Sequence, residues 1–319
     1  MILSICIPTC NRAEYLRQTL SSIVVQPAWA DGATEIVISD NCSDDRTCEV
    51  IAEFTGRFPQ LIRSVRQEKP LDAHDNFEAV LRMGQGDFIK LNNDTLAWRE
   101  GALRDYLDML NASPDAGVIL TPNTPMAPAY RMERVRCTDL NPLLSSCSYF
   151  LTWIGAICFR RDAFLSLPDP SRRLQSRLTQ TDMVLRLVAA GHTAVADGRL
   201  FFDSLPVFNK SSESLTSVFS INFLDMLAEY VPEKISPKVF AREKKRMFFD
   251  FILPSYFDFF NEHPKVRRTG YWKCTIRYHR EIYFYTAFLR IAVMWMIGKC
   301  FSHATMRRIK HRLKGGEPS

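Results

Sequence analysis

The chain has 319 residues, of which 46% are hydrophobic and 24% are charged, and its formal net charge at pH 7 is +6. These values exclude a disordered, fibrous or single small-module protein and fit one large α/β domain with an appended helical region. Its nine cysteines form no CxxC pair and no Cys/His cluster at zinc spacing, so we expect free thiols in a reducing cytoplasm.

Apolar runs alternate with helical periodicities along the first third of the chain. The pattern predicts strands at 2–7, 35–39, 62–65 and 88–91, and helices at 13–24, 46–56 and 75–83. The first run has no basic segment before it and no cleavage site after it, so we expect it to belong to the mature protein. Such alternation predicts a mostly parallel sheet flanked by helices, with ligands bound at the carboxyl ends of the strands.

The later sequence has a looser pattern. It predicts a helix at 100–111, strands at 117–121 and 154–159, and a helix at 180–190. Aromatic and basic residues at helical spacing follow from about Lys238, and the excess of positive charge lies in the last quarter. We expect an anionic partner for that end, either nucleic acid or an acidic membrane surface. Because no nucleic-acid-binding motif accompanies the charge, the membrane is favoured.

Three segments of the first hundred residues together resemble the glycosyltransferase family 2 pattern. They are SICIPTCNRAEYLRQTLSSI (4–23), EIVISDNCSDDRT (35–47) and GDFIKLNNDT (86–95). The first is similar to abequosyltransferase-like members and the third to rhamnosyltransferase-like members. The resemblance is good over 3–110 and weak over 111–215.

This resemblance implies a GT-A fold, which is an α/β, Rossmann-like architecture with a mostly parallel sheet. It implies a catalytic domain at 1–215, with a nucleotide-binding half at about 1–110 and an acceptor half at about 111–215. We expect residues 216–319 to form a helical, basic, aromatic-rich extension that associates with a membrane.

A nucleotide sugar carries a diphosphate whose charge must be neutralised as the glycosidic bond breaks. A divalent cation, Mn²⁺ or Mg²⁺, held by one or two carboxylates and the phosphate oxygens would do this. Asp94, at the end of an apolar strand, is the candidate ligand, whereas Asn92 stands where the family pattern has its first acidic residue. The alternative is an ordinary strand-end turn of Asn92, Asn93 and Asp94.

The resemblance also implies a set of donor-binding residues. Asp40 would accept a hydrogen bond from the ring N–H of the nucleobase, and the first loop would contact the nucleoside and the diphosphate. The donor-binding candidates are Pro8, Thr9, Asn11, Arg12, Tyr15, Asp40, Asn41, Asn76, Asn92 and Asn93.

Two groups of polar residues in this region have structural alternatives. Asp44 and Asp45, with Ser43, have the pattern of a helix N-cap and first turn, which we favour over a donor role. Asn76 matches an asparagine that the family places near the donor, and it could equally cap a helix.

Inverting transfer requires a general base that takes the proton of the acceptor hydroxyl. The segment TQTDMVLRLVAAG (179–191) is similar to the family's base-bearing helix, but Thr179 and Gln180 replace its acidic pair. Asp182 is therefore the candidate base, and its alternative role is to favour the helix dipole from the first turn. Asp162 and Asp169 are the other candidates.

Two later segments have open interpretations. Asn209 or Lys210 could contact the diphosphate, although a solvated loop is the favoured interpretation. The apolar stretch 283–301 is interrupted by Arg290 and Lys299 and is followed by a basic segment at 306–314, which indicates an interfacial membrane anchor. A helix packed on the catalytic domain is the alternative.

The sequence thus predicts an inverting glycosyltransferase that uses a dTDP-, UDP- or CDP-sugar. Its acceptor would be a saccharide, linked to polyprenyl diphosphate, in the assembly of bacterial O-antigen or capsule. We expect a peripheral protein on the cytoplasmic face of the inner membrane. The rival interpretations are a catalytically silent scaffold that binds nucleotide or glycan, and a nucleotidyltransferase. The latter would need a glycine-rich basic loop after the first strand, where PTCNRAEY has no glycine.

Overall fold

A computed structural model of the chain describes residues 1–122, 134–206 and 217–252, and a few positions between 277 and 293. The chain divides into two compact units, one formed by 1–211 with 226–239 and the other by 212–225 with 240–319. The first unit contains the sheet and all the candidate donor, metal and base residues. The functional division at residue 215 stays a prediction.

The first third of the chain forms the alternating strands and helices that its apolar pattern predicts. In chain order these are β1 (Leu3–Thr9), α1 (Ala13–Val24), β2 (Thr34–Asp40), α2 (Thr47–Arg57), β3 (Ile62–Arg66), α3 (Ala73–Met83) and β4 (Phe88–Leu91). Each strand ends where the apolar run gives way to polar residues, which prefer turns and helix caps.

The next part contains shorter and less regular elements. They are β5 (Leu96–Trp98), α4 (Ala102–Asn111), β6 (Ala116–Leu120), β7 (Val135–Cys137), α5 (Leu140–Cys147), β8 (Ile157–Arg160), α6 (Arg161–Leu165), α7 (Thr179–Ala189), β9 (Thr193–Ala196), β10 (Phe202–Ser204), α8 (Phe223–Ala228) and α9 (Pro237–Met247). The helices predicted at 100–111 and 180–190 are confirmed as α4 and α7.

Eight strands form one sheet in the order β3-β2-β1-β4-β8-β6-β9-β7. The strands β3, β2, β1 and β4 are parallel to one another, and β9 is parallel to β6. β8 is antiparallel to both β4 and β6, and β7 is antiparallel to β9. β5 pairs with β10 in a separate antiparallel ribbon. The predicted fold class, a mostly parallel sheet flanked by helices, is confirmed.

Helix α1 shows why the first loop is well defined. Its side chains Leu16, Leu20 and Ile23 recur at steps of four and three residues. They are buried in the same hydrophobic core as the apolar side chains of β1 and β2. Burying each of them stabilises the fold by about 1.5–3 kcal/mol. The loop between Thr9 and Ala13 is therefore held at both ends by buried elements.

The strand predicted at 154–159 begins later than expected. Residues Ile154–Ala156 form a 3₁₀ turn, and β8 starts at Ile157. Gly155 lies so close to β5 that a Cβ there would approach Leu96 Cδ2 to 2.6 Å. A residue with a side chain at position 155 would require the Leu96 side chain to move.

The second unit is described in part. In α9 the carboxylate of Glu243 is fully buried and bonded to Arg242 and Arg246. Among the described positions near the carboxyl end, Tyr285 and Leu289 are exposed, by 56% and 65%. No helix in the described part of the chain is both long and apolar enough to cross a membrane. Residues 209 and 210, the segment 306–314 and most of 283–301 lie outside the described residues.

Candidate functional site

The polar ends of β1, β2 and β4 lie side by side at one edge of the sheet. Thr9, the last residue of β1, pairs in register with Asp40, the last residue of β2, and the Asn41 N–H donates to Thr9 O at 2.9 Å. β4 lies on the other side of β1, and the turn that follows it contains Asp94. Parallel packing thus gathers residues from three distant segments at the edge where open α/β sheets bind ligands.

Asp94 is tied directly to the first loop. Thr9 Oγ1 donates to Asp94 Oδ2 at 2.8 Å, and Thr19 Oγ1 of α1 donates to the Asp94 carbonyl at 2.8 Å. Burial raises the pKa of Asp94 to about 6, because desolvation disfavours the charged form more than Thr9 and the positive charge of Arg12 favour it. The carboxyl group is therefore held in a fixed place and is close to its protonation midpoint at mildly acidic pH.

Asn92 and Asn93 form the rest of this turn. Asn92 is fully buried, and its Nδ2 donates to Asn93 O at 2.9 Å and to Leu96 O at 3.4 Å. Its Oδ1 is buried without a hydrogen-bond partner in the described structure. The Asn92 amide therefore braces the turn through its N–H groups, which a carboxylate could not do.

The protein atoms at this site fit a cation whose remaining ligands come from the substrate and from water. In the described residues, no three His, Cys, Asp or Glu side chains come together as a metal cage. Asp94 is the candidate carboxylate ligand, and the diphosphate oxygens and water would fill the other positions, as is usual for Mg²⁺ and Mn²⁺ in phosphate sites. A cation held in this way would bind tightly only together with the donor.

Asp40 is buried, and both of its carboxylate oxygens have partners. Oδ1 accepts bonds from the backbone N–H and the hydroxyl of Ser43. Oδ2 accepts from Arg66 Nη1 at 2.8 Å and from Cys48 Sγ at 3.4 Å, and Arg66 Nη2 donates to Ser43 O at 2.8 Å. Arg66 itself is half-exposed. A cavity of about 290 Å³ adjoins this group and is lined in part by Asp40, Cys48 and Arg66.

Hydrogen bonds join the first loop, between β1 and α1, to the loop after β2. Asn11 adopts a left-handed conformation (φ 52°), and its Oδ1 accepts from the Asp44 N–H at 2.8 Å. Asp45 accepts from the N–H groups of Ala13 and Thr47, at the starts of α1 and α2. Asp45 thus bonds to the first residue of each helix, although the N-cap position of α2 is Arg46, and Asp44 takes part through its backbone.

The remaining donor-binding candidates of the first loop lie next to these hydrogen bonds. Pro8 is buried within β1, and the Arg12 guanidinium lies 5.5 Å from the centre of the Tyr15 ring. Arg12 and Tyr15 are both half-buried at the start of α1, and the positive charge of Arg12 acts on the Asp94 carboxyl.

Two candidate asparagines join loops and helices to β2. The Asn41 side chain forms a pair of bonds with the backbone of Leu71, from Asn41 Nδ2 to Leu71 O and from Leu71 N to Asn41 Oδ1. Asn76 is buried and accepts from Ser39 Oγ at 2.6 Å. Asp72, not Asn76, is the N-cap of α3, so the capping alternative for Asn76 is wrong. Donor contacts by Asn41 and Asn76 stay predictions.

The candidate base, Asp182, is enclosed by arginines. Its side chain is 0% exposed in the first turn of α7. Arg172 donates to both oxygens, at 2.8 and 2.6 Å, Arg173 donates at 3.0 Å, and Arg186 at 3.5 Å. An acceptor hydroxyl could reach the carboxylate only after one of these bonds opens. This arrangement is the physical objection to Asp182, whose role as the base stays a prediction.

The other two carboxylates proposed as the base have different positions. Asp162 is the second residue of α6, which directly follows β8. The last residue of β8, Arg160, pairs with the first residue of β4, so Asp162 lies at the end of the sheet opposite Asp94. Asp169 has a positive φ of 45°, and its carbonyl accepts from Arg186. The structure does not bring either of them to the Asp94 turn.

Several residues that support the site were not predicted from the sequence. Thr19 lies within the helix predicted at 13–24, and Arg66 directly follows the strand predicted at 62–65. Lys90, within the apolar strand β4, is fully buried next to the Asp94 turn. A lysine flanked on both sides by apolar residues in a predicted buried strand was the available signal.

Known proteins with the same architecture define the class of this domain as GT-A. S. aureus TarS, in complex with UDP-GlcNAc, has a TM-score of 0.61 at 13% identity, over 100% of this chain and 93% of that one. The mannosyltransferase PcManGT from Pyrobaculum calidifontis, in complex with GDP-Man and Mn²⁺, has a TM-score of 0.59 at 13% identity, over 96% and 84% of the two chains. At these identities the similarity establishes the fold.

The family is established by sequence. The model of glycosyl transferase family 2 matches residues 4–165, and the chain belongs to that family. Abequosyltransferase RfbV of Salmonella typhimurium is 38% identical over 111 residues, which are 34% of this chain and 33% of that protein. The chain spans about a third of the length of the curated relatives that it matches.

Proposed function

We propose that this protein transfers a sugar from a nucleoside diphosphate donor to a saccharide hydroxyl. The observation that carries the proposal is the Thr9–Asp94 hydrogen bond, which places the candidate metal ligand against the first loop at the carboxyl edge. Membership of glycosyl transferase family 2 supports it, as do the UDP-GlcNAc and GDP-Man complexes of TarS and PcManGT.

The donor would bind across the ends of β1, β2 and β4. Asp94 would hold Mn²⁺ or Mg²⁺ against the diphosphate, where the cation neutralises the charge that develops on the leaving group. Arg12 would add positive charge near the diphosphate, since its charge already favours the ionised form of the Asp94 carboxyl. Asp40 would orient the nucleobase together with Arg66, whose half-exposed guanidinium adjoins the cavity beside β2. We propose UDP, dTDP or CDP as the nucleotide.

The other donor-binding candidates would shape the pocket. Asn11 and Asn41 fix the two loops, and Asn92 fixes the turn that contains Asn93 and Asp94. Direct contacts from Pro8, Tyr15 and Asn76 complete the proposed set. The physical argument is preorganisation, because a loop that is already ordered loses less entropy when the donor binds.

We propose that transfer proceeds with inversion at the anomeric carbon. A general base must then accept the proton of the acceptor hydroxyl on the face opposite the diphosphate. Asp182 stays the candidate, with the condition that Arg172 or Arg173 releases an oxygen when the acceptor binds. The anomeric configuration of the product, measured by proton NMR, tests inversion directly. Retention would contradict it.

The proposed acceptor is a saccharide on a polyprenyl diphosphate, in the assembly of bacterial O-antigen or capsule. The similarity to an abequosyltransferase supports a surface-polysaccharide setting. A lipid-linked acceptor requires the enzyme to work at the cytoplasmic face of the inner membrane, as a peripheral protein.

The carboxyl-terminal extension would provide the membrane contact. Tyr285, Leu289 and Val293 are exposed apolar side chains four residues apart, a spacing that places them on one side of a helix. The basic segment 306–314 supplies charge for anionic lipids. Flotation with phosphatidylglycerol vesicles should fail for a chain that ends at residue 279 and should weaken for Leu289→Glu. Equal binding by all three proteins would contradict the contact.

The function itself is tested by the product that is released. The protein is incubated with UDP-, dTDP-, CDP- and GDP-sugars, Mn²⁺ and a lipid-linked saccharide. A nucleoside diphosphate from one donor supports the proposal. Pyrophosphate released from a nucleoside triphosphate and a sugar phosphate would identify a nucleotidyltransferase instead. Donor binding without any product would identify a silent scaffold.

A further inference from the structure

A fully buried lysine, Lys90, lies in strand β4. Its side chain is 0% exposed on β4, and no carboxylate pairs with it in the described part of the chain. Burial lowers its pKa to about 7 because desolvation disfavours the ammonium form, against the opposing effect of the neighbouring Cys158 and Cys6. Such a residue costs stability that an apolar side chain would not cost, so it needs an explanation in the architecture.

The contacts of the Lys90 ammonium identify what it holds. Nζ donates to Gly155 O at 2.6 Å and to Leu91 O at 3.3 Å, and it lies 4.2 Å from the centre of the Phe202 ring. Gly155 belongs to the turn Ile154–Ala156 that leads into β8. Lys90 therefore fastens that turn to β4 just before the Asn92–Thr95 segment begins.

The same turn also presses on the chain after that segment. Gly155 lies against Leu96, the first residue of β5, with no room for a Cβ between them. The Asn92 amide donates to the Leu96 carbonyl, and this bond links the two ends of the segment. Gly155 thus contacts both ends of the Asn92–Thr95 segment, through Lys90 on one side and Leu96 on the other.

We propose that Lys90 and Gly155 are positioning residues that clamp the Asn92–Thr95 segment and so set the position of the Asp94 carboxylate. The inference rests on the proposed function, in which Asp94 binds the cation of the donor complex. Neither residue touches the donor. The two residues affect only the part of nucleotide binding that depends on the metal. The contacts made by the loops after β1 and β2 stay unchanged.

Titration calorimetry with UDP, dTDP and CDP, each in Mn²⁺ and in EDTA, tests this proposal. Lys90→Met keeps the apolar contact with Phe202 and removes the bond to Gly155. Gly155→Ala pushes Leu96 away while Lys90 stays in place. Each variant should weaken nucleotide binding in Mn²⁺ by about tenfold or more, the usual effect of losing support behind a metal ligand. Binding in EDTA should match that of wild type.

Matched controls separate positioning from general damage. Lys69→Met removes an exposed lysine, and Gly56→Ala adds a Cβ with no heavy atom within 4 Å. Both should bind like wild type in Mn²⁺ and in EDTA. Circular dichroism confirms that each variant is folded, and Gly155→Ala carries the test if Lys90→Met is not.

The outcomes distinguish this inference from the function on which it rests. Wild type that binds none of the three nucleotides, or binds them equally with and without Mn²⁺, overturns the metal-assisted function. Wild type with Mn²⁺-dependent binding that Lys90→Met and Gly155→Ala preserve overturns the clamp alone. Equal weakening in Mn²⁺ and EDTA also overturns it, because that pattern indicates a general structural defect.

Discussion

The hydroxyl of Thr9 and the carboxylate of Asp94 are joined by a 2.8 Å hydrogen bond, although 85 positions separate them in the sequence. The bond connects the loop after β1 with the turn after β4, two strands that are neighbours in the sheet. It favours the charged form of Asp94, against the burial that raises the pKa of this group to about 6. Nucleotide binding, metal binding and pH should therefore be linked through these two residues.

Mn²⁺-dependent nucleotide binding should fall below about pH 6 in the wild type. Asp94 must lose its proton to hold the cation, so each pH unit below its pKa should weaken binding about tenfold. Thr9→Val removes a bond that lowers this pKa, so the fall should begin at a higher pH. The lost bond should also weaken binding at neutral pH by about tenfold. Calorimetry from pH 5 to 8 measures both effects, and identical profiles for the two proteins would refute the linkage.

Asn92→Asp should destabilise the fold and should not strengthen metal binding. The Asn92 amide donates to the carbonyls of Asn93 and Leu96, and a buried carboxylate would face the same two oxygens without a proton to share. We expect a loss of about 2–3 kcal/mol in the free energy of unfolding at pH 7. Urea unfolding measures it, with Asn93→Asp at the half-buried neighbour as the control. Unchanged stability with tighter Mn²⁺ binding would show that this interpretation of Asn92 is wrong.

Asp182→Asn should lower the stability of the protein. Three guanidinium groups would lose the buried charge that neutralises them, which costs about 3 kcal/mol after allowance for their partial exposure. Urea unfolding gives the stability, and kcat measured on the folded protein gives the catalytic effect. Intact stability together with a loss of kcat would instead favour the general-base role.

The stability of the wild type should rise with pH between about 7 and 10.5 through Lys90. Its pKa is about 7 in the folded state and 10.5 in the unfolded chain, so the unfolded state binds more protons in this window. This group should contribute a slope of about 1.4 kcal/mol per pH unit, which disappears in Lys90→Met. The difference between the unfolding free energies of the two proteins, followed against pH, isolates the effect. A constant difference would show that burial does not lower the pKa of Lys90.

The regular part of the fold was predictable because its signals are local. The alternation of β1, α1, β2, α2, β3, α3 and β4 appears as apolar runs and helical spacings, and the polar residues after each strand indicated the binding edge. The short strands β5, β7, β9 and β10 were not predicted. Each has only three or four residues, and its conformation depends on the strand with which it pairs.

The site was predictable in composition but not in its contacts. The strand-end positions of Asp40 and Asp94 follow from the pattern. Two of the three arginines around Asp182, Arg172 and Arg173, come instead from a loop with no regular spacing. The burial of Lys90 depends on Gly155, which is 65 positions away. Tertiary contacts of this kind produce no periodic pattern in the sequence. Only the lysine within an apolar strand indicated that such a contact exists.

Asp94 is proposed to support metal-assisted cleavage of a nucleotide sugar. Nucleoside diphosphate release from the donor that wild type accepts is measured with Mn²⁺ or EDTA, for wild type and for Asp94→Asn. We expect Mn²⁺-dependent release by wild type and a loss of at least about a hundredfold in the variant. Release by Asp94→Asn at the wild-type rate, with the same response to Mn²⁺, would show that Asp94 does not hold the catalytic cation.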